Sequence, residues 1–193
     1  MSGAVDGGVI RGFAGKVPAR GDFVHAGLPR EFTDPWHDWQ SLVIAGSRTL
    51  MGEAWLDAFL EAPVWRFVLP PGFCGPRAAV GLIRPSVDKV GRYFPLTLAA
   101  LCAAGTPDPT EWSEWLDTTE DLGRLALDED APPERLMPPP PPLSPARTSG
   151  TASIWWTDGG PRVEASRLSF PSLPDAASFA SMLGHLAPTE SAP

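Results

Sequence analysis

The chain has 193 residues, 43% of them apolar and 20% charged. This composition excludes a wholly disordered chain and a fibre, and a chain of this length buries roughly 70% of its unfolded surface without a metal or disulfide staple. The formal net charge is −8, and ten acids against two arginines between residues 108 and 135 account for all of it; elsewhere the charges balance, so no basic field exists to neutralise nucleic-acid phosphates or anionic lipid, and neither nucleic-acid binding nor membrane insertion is expected.

Residues 1–9 are rich in glycine and read as a disordered N-terminus without the basic segment that opens a secretory signal, which points to a cytoplasmic location. Glycines 12, 15, 21 and 27 with Pro18 and Pro29 predict a long structured loop over residues 12–29. Asp34 followed by Pro35 predicts a helix start, with the carboxylate as cap and proline at the first position; Trp36, Trp39, Val43 and Leu50 carry the helical spacing to Gly52. A second helix is expected over 53–61, with Trp55, Leu56, Phe59 and Leu60 inward. Three strands follow at 64–69, 77–84 and 94–104; the last is the longest nearly apolar run and is too short to cross a bilayer.

Residues 110–127 predict an acidic amphipathic helix with Trp112, Trp115, Leu116, Leu122 and Leu125 as its apolar set. Eight of the 24 prolines lie between residues 131 and 150, five of them consecutive, which fixes an extended polyproline excursion of about 15 Å at ~3.1 Å per residue. Residues 151–157 then predict a strand and residues 174–186 a closing helix with Phe179, Met182, Leu183 and Leu186 inward. These two pieces cannot fold alone, so residues 10–130 and 151–187 are expected to form one domain, with 131–150 as an excursion and 188–193 as a disordered tail. The fold class expected is α/β in the broad sense (α+β): a mixed, mainly antiparallel sheet flanked by helices.

The familiar chemistries find little footing. Gly15-Lys16 suggests a phosphate loop, but Ile10 and Val17 occupy the positions that need glycine and a hydroxyl. Only His25, His37 and His185 are available as bases, and no nucleophile elbow is present; Ser86 with Asp88 and His25 remains as a candidate small hydrolase. Asp34, His37 and Asp38 share a helix face, yet a cap explains Asp34 without a metal, and neither a metal nor a cofactor is expected. Cys74 and Cys102 read as buried thiols in a reducing compartment, with one bridge between them as the alternative. The eight tryptophans read as core, since two pairs recur at i,i+3. Two polar loops remain, KVPARGDFV at 16–24 and PSVDKVGRYFP at 85–95. Arg20, Asp22, Ser86, Asp88, Gly91 and Arg92 are the candidate set, either bracing these loops by ion pairs such as Arg20 or Arg92 with Asp88 or Asp22, or forming a partner-binding surface.

At these residues the sequence resembles the TagF (ImpM) family of type VI secretion-associated proteins. The strings are GFAGKVPARGDFVHAGLP (12–29), PWHDWQ (35–40), APVWRFVL (62–69), GLIRPSVDKVGRYFPLTLAA (81–100), SIWW (153–156) and LPDAASFASML (173–183). Ala14 departs from a common aromatic residue, and the proline-rich stretch reads as a lineage-specific insertion. The resemblance implies a longin- or profilin-like sandwich and a cytoplasmic, non-enzymatic protein that restrains the type VI secretion system after translation by binding its forkhead-associated (Fha) scaffold protein. It supplies no catalytic residues. An effector-loading adaptor of the same system, using the acidic 108–134 stretch to attract a basic partner, is the alternative.

Overall fold

The computed structural model describes residues 8–102, 105–128, 132–142, 147–148 and 150–185. In chain order the elements are β1 (Ile10–Gly15), β2 (Val24–Ala26), α1 (Arg30–Met51), α2 (Trp55–Leu60), β3 (Trp65–Leu69), β4 (Ala78–Arg84) and β5 (Leu96–Cys102), followed by β6 (Thr106–Pro107), α3 (Ser113–Leu125), β7 (Arg147–Thr148), β8 (Ser153–Thr157), β9 (Ser166–Phe170) and α4 (Ala176–Met182). Single 3₁₀ turns occupy Gly52–Ala54, Pro109–Trp112 and Pro133–Leu136. Seven strands make one sheet in the order β2-β1-β5-β4-β3-β8-β9, antiparallel at every pairing. β6 and β7 pair separately. The architecture is α+β.

Central strands β4 and β5 are buried at every position but Arg84 because both sheet faces are covered. Alternate residues serve opposite cores. Thr97, Ala99 and Leu101 turn toward α1, α2 and α4, while Leu96, Leu98, Ala100 and Cys102 turn toward α3. On the first face Trp36, Trp39, Phe67 and Trp155 form one aromatic stack, with ring centroids 4.6–6.1 Å apart. Their polar edges are satisfied: the Trp36 indole donates to Thr97 Oγ1 (2.8 Å), Trp39 to the Pro174 carbonyl (2.7 Å) and Trp155 to Ser153 Oγ (3.1 Å). Seven of the eight tryptophans are buried, and burying each such ring contributes about 1.5–3 kcal/mol. These seven are core, and Trp156 is partly buried against the α3-side cluster.

Several elements depart from the sequence expectation. Residues 12–29 are not one loop, since β1 and β2 occupy both ends of the stretch. Gly12 reads locally as a breaker, but a Cβ there would stand 2.0 Å from the Ala26 carbonyl oxygen, so the glycine is what permits β1 and β2 to approach. Val9, expected in a frayed terminus, is buried against the α3-side core. Helix α1 begins at Arg30 rather than at Asp34, and Pro35 lies inside it. Phe32 supplies the reason: it is fully buried and stacks on Trp36 one turn later, which draws the helix start forward, while exposed Pro35 gives up one hydrogen bond. Asp34 pairs with Arg30 instead of capping.

Leu56, Leu60 and Leu125, all expected inward, are exposed. In the short helix α2, Trp55, Ala58 and Phe59 take the contact face; in α3 that role belongs to Trp115, Leu116, Thr119 and Gly123. β9 has only Leu168 and Phe170 as apolar residues and escaped detection as an edge strand of half-buried positions. Leu186 and the 1–7 and 188–193 tails lie outside the described residues. The polyproline excursion is strapped to the domain: Leu136 is buried, the Trp115 indole donates to the Pro139 carbonyl (2.9 Å), and β7 pairs with β6.

Candidate functional site

Loops 16–23 and 85–95 leave neighbouring strands, because β1 pairs with β5 and β5 with β4. Gly15 opens the first loop with φ +147°, and a Cβ there would lie 2.3 Å from the Pro95 carbonyl oxygen. Only glycine allows the two loops to cross at this distance. Val87 and Tyr93 then form an isolated antiparallel bridge, Phe94 N donates to the Ser86 carbonyl (3.1 Å) and Gly91 turns the tip at φ +83°.

Asp88 sits at the centre with no exposed side-chain surface. Its Oδ2 accepts from Lys16 Nζ at 2.6 Å and from Arg92 Nε at 2.7 Å, and its Oδ1 accepts from the backbone N–H groups of Val90 (3.0 Å) and Arg92 (2.9 Å). Burial by itself would raise the carboxyl pKa. The Lys16 ammonium, the Arg92 backbone N–H, the Arg92 guanidinium and the Val90 N–H outweigh that and hold Asp88 well below the usual carboxylate range. The Arg92 guanidinium also donates to the Gly21 carbonyl, and Lys89 N donates to the Arg20 carbonyl (2.9 Å), so one carboxylate and its neighbours tie both loops together.

Of the residues singled out from sequence, Asp88, Gly91 and Arg92 meet in this brace. Arg20 takes part through its carbonyl, while its exposed guanidinium bonds the adjacent Ala19 carbonyl. Asp22 is exposed, outside the Asp88 cluster. Lys16, whose sequence context pointed only to a failed phosphate-loop register, is the cation nearest Asp88, and no sequence signal linked it to the 85–95 loop. Ser86 is buried, and among the described residues its Oγ has no hydrogen-bond partner, histidine included. His25 is exposed on β2 and lines a separate cleft with Phe23, Asp34 and His37. Ser86 therefore lacks the base that hydrolysis requires.

Among the described residues no group of three or more histidine, cysteine or carboxylate side chains is arranged to hold a metal ion, and no helix is long and apolar enough to cross a membrane. Cys74 is a buried thiol whose pKa burial pushes up to about 12, the opposite of an activated nucleophile. What the brace does is mechanical: it fixes an exposed tip, Lys89 to Arg92, in which Val90 is 67% exposed between two cations.

The fold and site define an antiparallel α+β domain with a braced, solvent-facing loop pair at one end of its sheet. Sequence and structure comparison place it further. Residues 12–138 match the profile of the TagF N-terminal domain, type VI secretion system-associated, and the chain belongs to that family. The crystal structure of PA0076 from Pseudomonas aeruginosa PAO1 is similar over 92% of this chain and 97% of that one, with a TM-score of 0.80 and 34% identity. No curated protein matches the sequence.

Proposed function

We propose that this protein is a cytoplasmic negative regulator of type VI secretion that acts after translation by binding the forkhead-associated scaffold protein of the system, and that the 85–95 tip is its contact. The observation that carries the reading is Val90, 67% exposed on a loop that Asp88 prevents from collapsing. An apolar side chain on an immobilised loop binds with little further ordering cost, and exposed Arg92 beside it is of a residue type enriched among binding hot spots. Exposed Lys89 and Arg92 flank it in the tip, and exposed Arg20, whose carbonyl accepts from Lys89 N, lies on the 16–23 loop, on a chain of net charge −8. That asymmetry favours an acidic patch on the partner and orients the encounter. The adaptor reading has less behind it, because Asp117, Glu120 and Asp121 of the acidic stretch are already paired with Arg66 and Arg124.

The test is calorimetric titration of the scaffold protein from the same genome with wild-type protein and with Val90→Asp, whose substitution lies at an exposed position. Micromolar association, weakened about tenfold or more by Val90→Asp, is expected. Absence of association, or equal binding by the variant, overturns the assignment.

A further inference from the structure

Arg84 ends β4 on the α3 side of the sheet, and like Arg11 of β1 it has buried guanidinium nitrogens with no hydrogen-bond partner among the described residues. Its side chain passes across Gly123 of α3, where a Cβ would stand 3.3 Å from Arg84 Cδ and 3.6 Å from Nη1. A glycine inside a helix costs roughly 1 kcal/mol against alanine, so this crossing is maintained against local propensity. The acid whose charge acts on it is Glu120, and both of its oxygens already accept hydrogen bonds: Oε2 from Arg66 Nε and Nη2, Oε1 from Arg124 Nη2. Arg84 Nε and Nη1 are consequently buried without an acceptor among the described residues, and burial lowers the pKa of the guanidinium. A buried cation left in this condition is costly unless an anion completes it.

A second orphan lies beside it. Ser86 is 3% exposed and its Oγ has no partner among the described residues. Arg84 and Ser86 line the same cleft, about 340 Å³ in volume, whose other walls are Pro18, Leu60, Ala62, Pro85, Val87 and Leu127. Leu60 and Leu127 stand half-exposed at its edge. Pro18 and Val87 come from the two loops that Asp88 ties together, so the brace also holds this wall.

We propose that the cleft binds the C-terminal carboxylate of a polypeptide ending in an aliphatic residue. The planar fork of arginine matches a carboxylate, and the Ser86 hydroxyl adds one donor. Phosphate fits poorly, since the proline and aliphatic walls have no further side-chain donors for its additional oxygens. The same walls suit an aliphatic side chain attached next to the charge. At the small end of the size range of ligand sites, the cleft takes a terminal residue, whereas an acidic side chain in mid-segment brings chain on both sides. The site uses residues other than the Val90 tip and stands whether or not the scaffold protein is the partner.

The experiment is an amide-resolved NMR titration of the full chain with N-acetyl-leucine, N-acetyl-leucinamide, inorganic phosphate and the internal-acid peptide acetyl-Leu-Asp-Leu-amide, each at millimolar concentration. N-acetyl-leucine is expected to give saturable shifts at Ser86, Val87, Gly123 and Leu127, and its amide none. Arg84→Met should weaken binding about tenfold or more, and Ser86→Ala severalfold. Arg84→Met removes an unpaired buried charge, so its melting temperature should not fall; Arg84→Lys, which keeps the charge and loses the fork, serves as the second variant and should also bind weakly. No saturable shift, equal shifts with the amide, tighter binding of phosphate or of the internal-acid peptide, or unchanged binding by both Arg84 variants overturns the proposal.

Discussion

Replacing Asp88 with asparagine keeps the shape of the side chain and reverses what half of it offers. The amide oxygen can still accept from the N–H groups of Val90 and Arg92, but the amide nitrogen then faces Lys16 Nζ and Arg92 Nε, donor against donor. Arg92 is 59% exposed, so its share is at most about 1 kcal/mol. Lys16 is only 14% exposed and loses the acceptor that compensates its burial, which costs about 3 kcal/mol. The expected destabilisation is about 3–4 kcal/mol, or roughly 10 °C in melting temperature for a domain of this size. Urea denaturation of both proteins across pH measures it. The folded-state pKa of Asp88 lies below its unfolded value, so its contribution is fully present above the unfolded pKa of about 3.9 and declines as pH falls from there toward the depressed folded value. The difference between wild type and Asp88→Asn should therefore be constant from neutral pH down to about 5 and shrink below about 4. A difference under about 1 kcal/mol at pH 7, or one that stays constant through pH 3, refutes the reasoning.

Three further outcomes are expected. Thr97→Val removes the oxygen that accepts from both Trp36 Nε1 and Gln40 Nε2, leaving two buried donors unsatisfied, and should cost about 2–3 kcal/mol in denaturant titrations; a loss below 0.5 kcal/mol counts against the pairing. Gly46→Ala, normally favourable in a helix, should destabilise by about 1–3 kcal/mol because its Cβ would lie 2.4 Å from Ala176 Cβ between α1 and α4; a rise in melting temperature shows that the helices separate easily. Cys74 should resist alkylation at pH 8 until denaturant is added, as mass mapping of labelled peptides will reveal, and rapid native-state labelling contradicts its burial.

The candidate site was legible to the extent that its chemistry lies in one segment. PSVDKVGRYFP places Asp88 and Arg92 four residues apart around a glycine, and the turn they close is local. Lys16, 72 residues away, enters through the pairing of β1 with β5, which no local pattern encodes. Asp22 carries the same residue type as Asp88 in an equally polar loop and yet stays at the surface, so loop composition alone did not separate the two.

Local periodicity and residue type were enough to determine the three central strands, α3 and α4 to within a few residues and the placement of seven of the eight tryptophans in the core, because in each the apolar pattern repeats over short range. Tertiary structure alone decided that Gly12 belongs to a strand, that α1 begins ahead of Pro35, that Ser166–Phe170 is an edge strand and that Leu56, Leu60 and Leu125 face solvent. Each of these depends on what lies opposite across the sheet or the helix interface. A glycine reads as a breaker until the neighbouring backbone that needs its missing Cβ is in place, and a leucine reads as core until the helix has been rotated by the larger rings beside it.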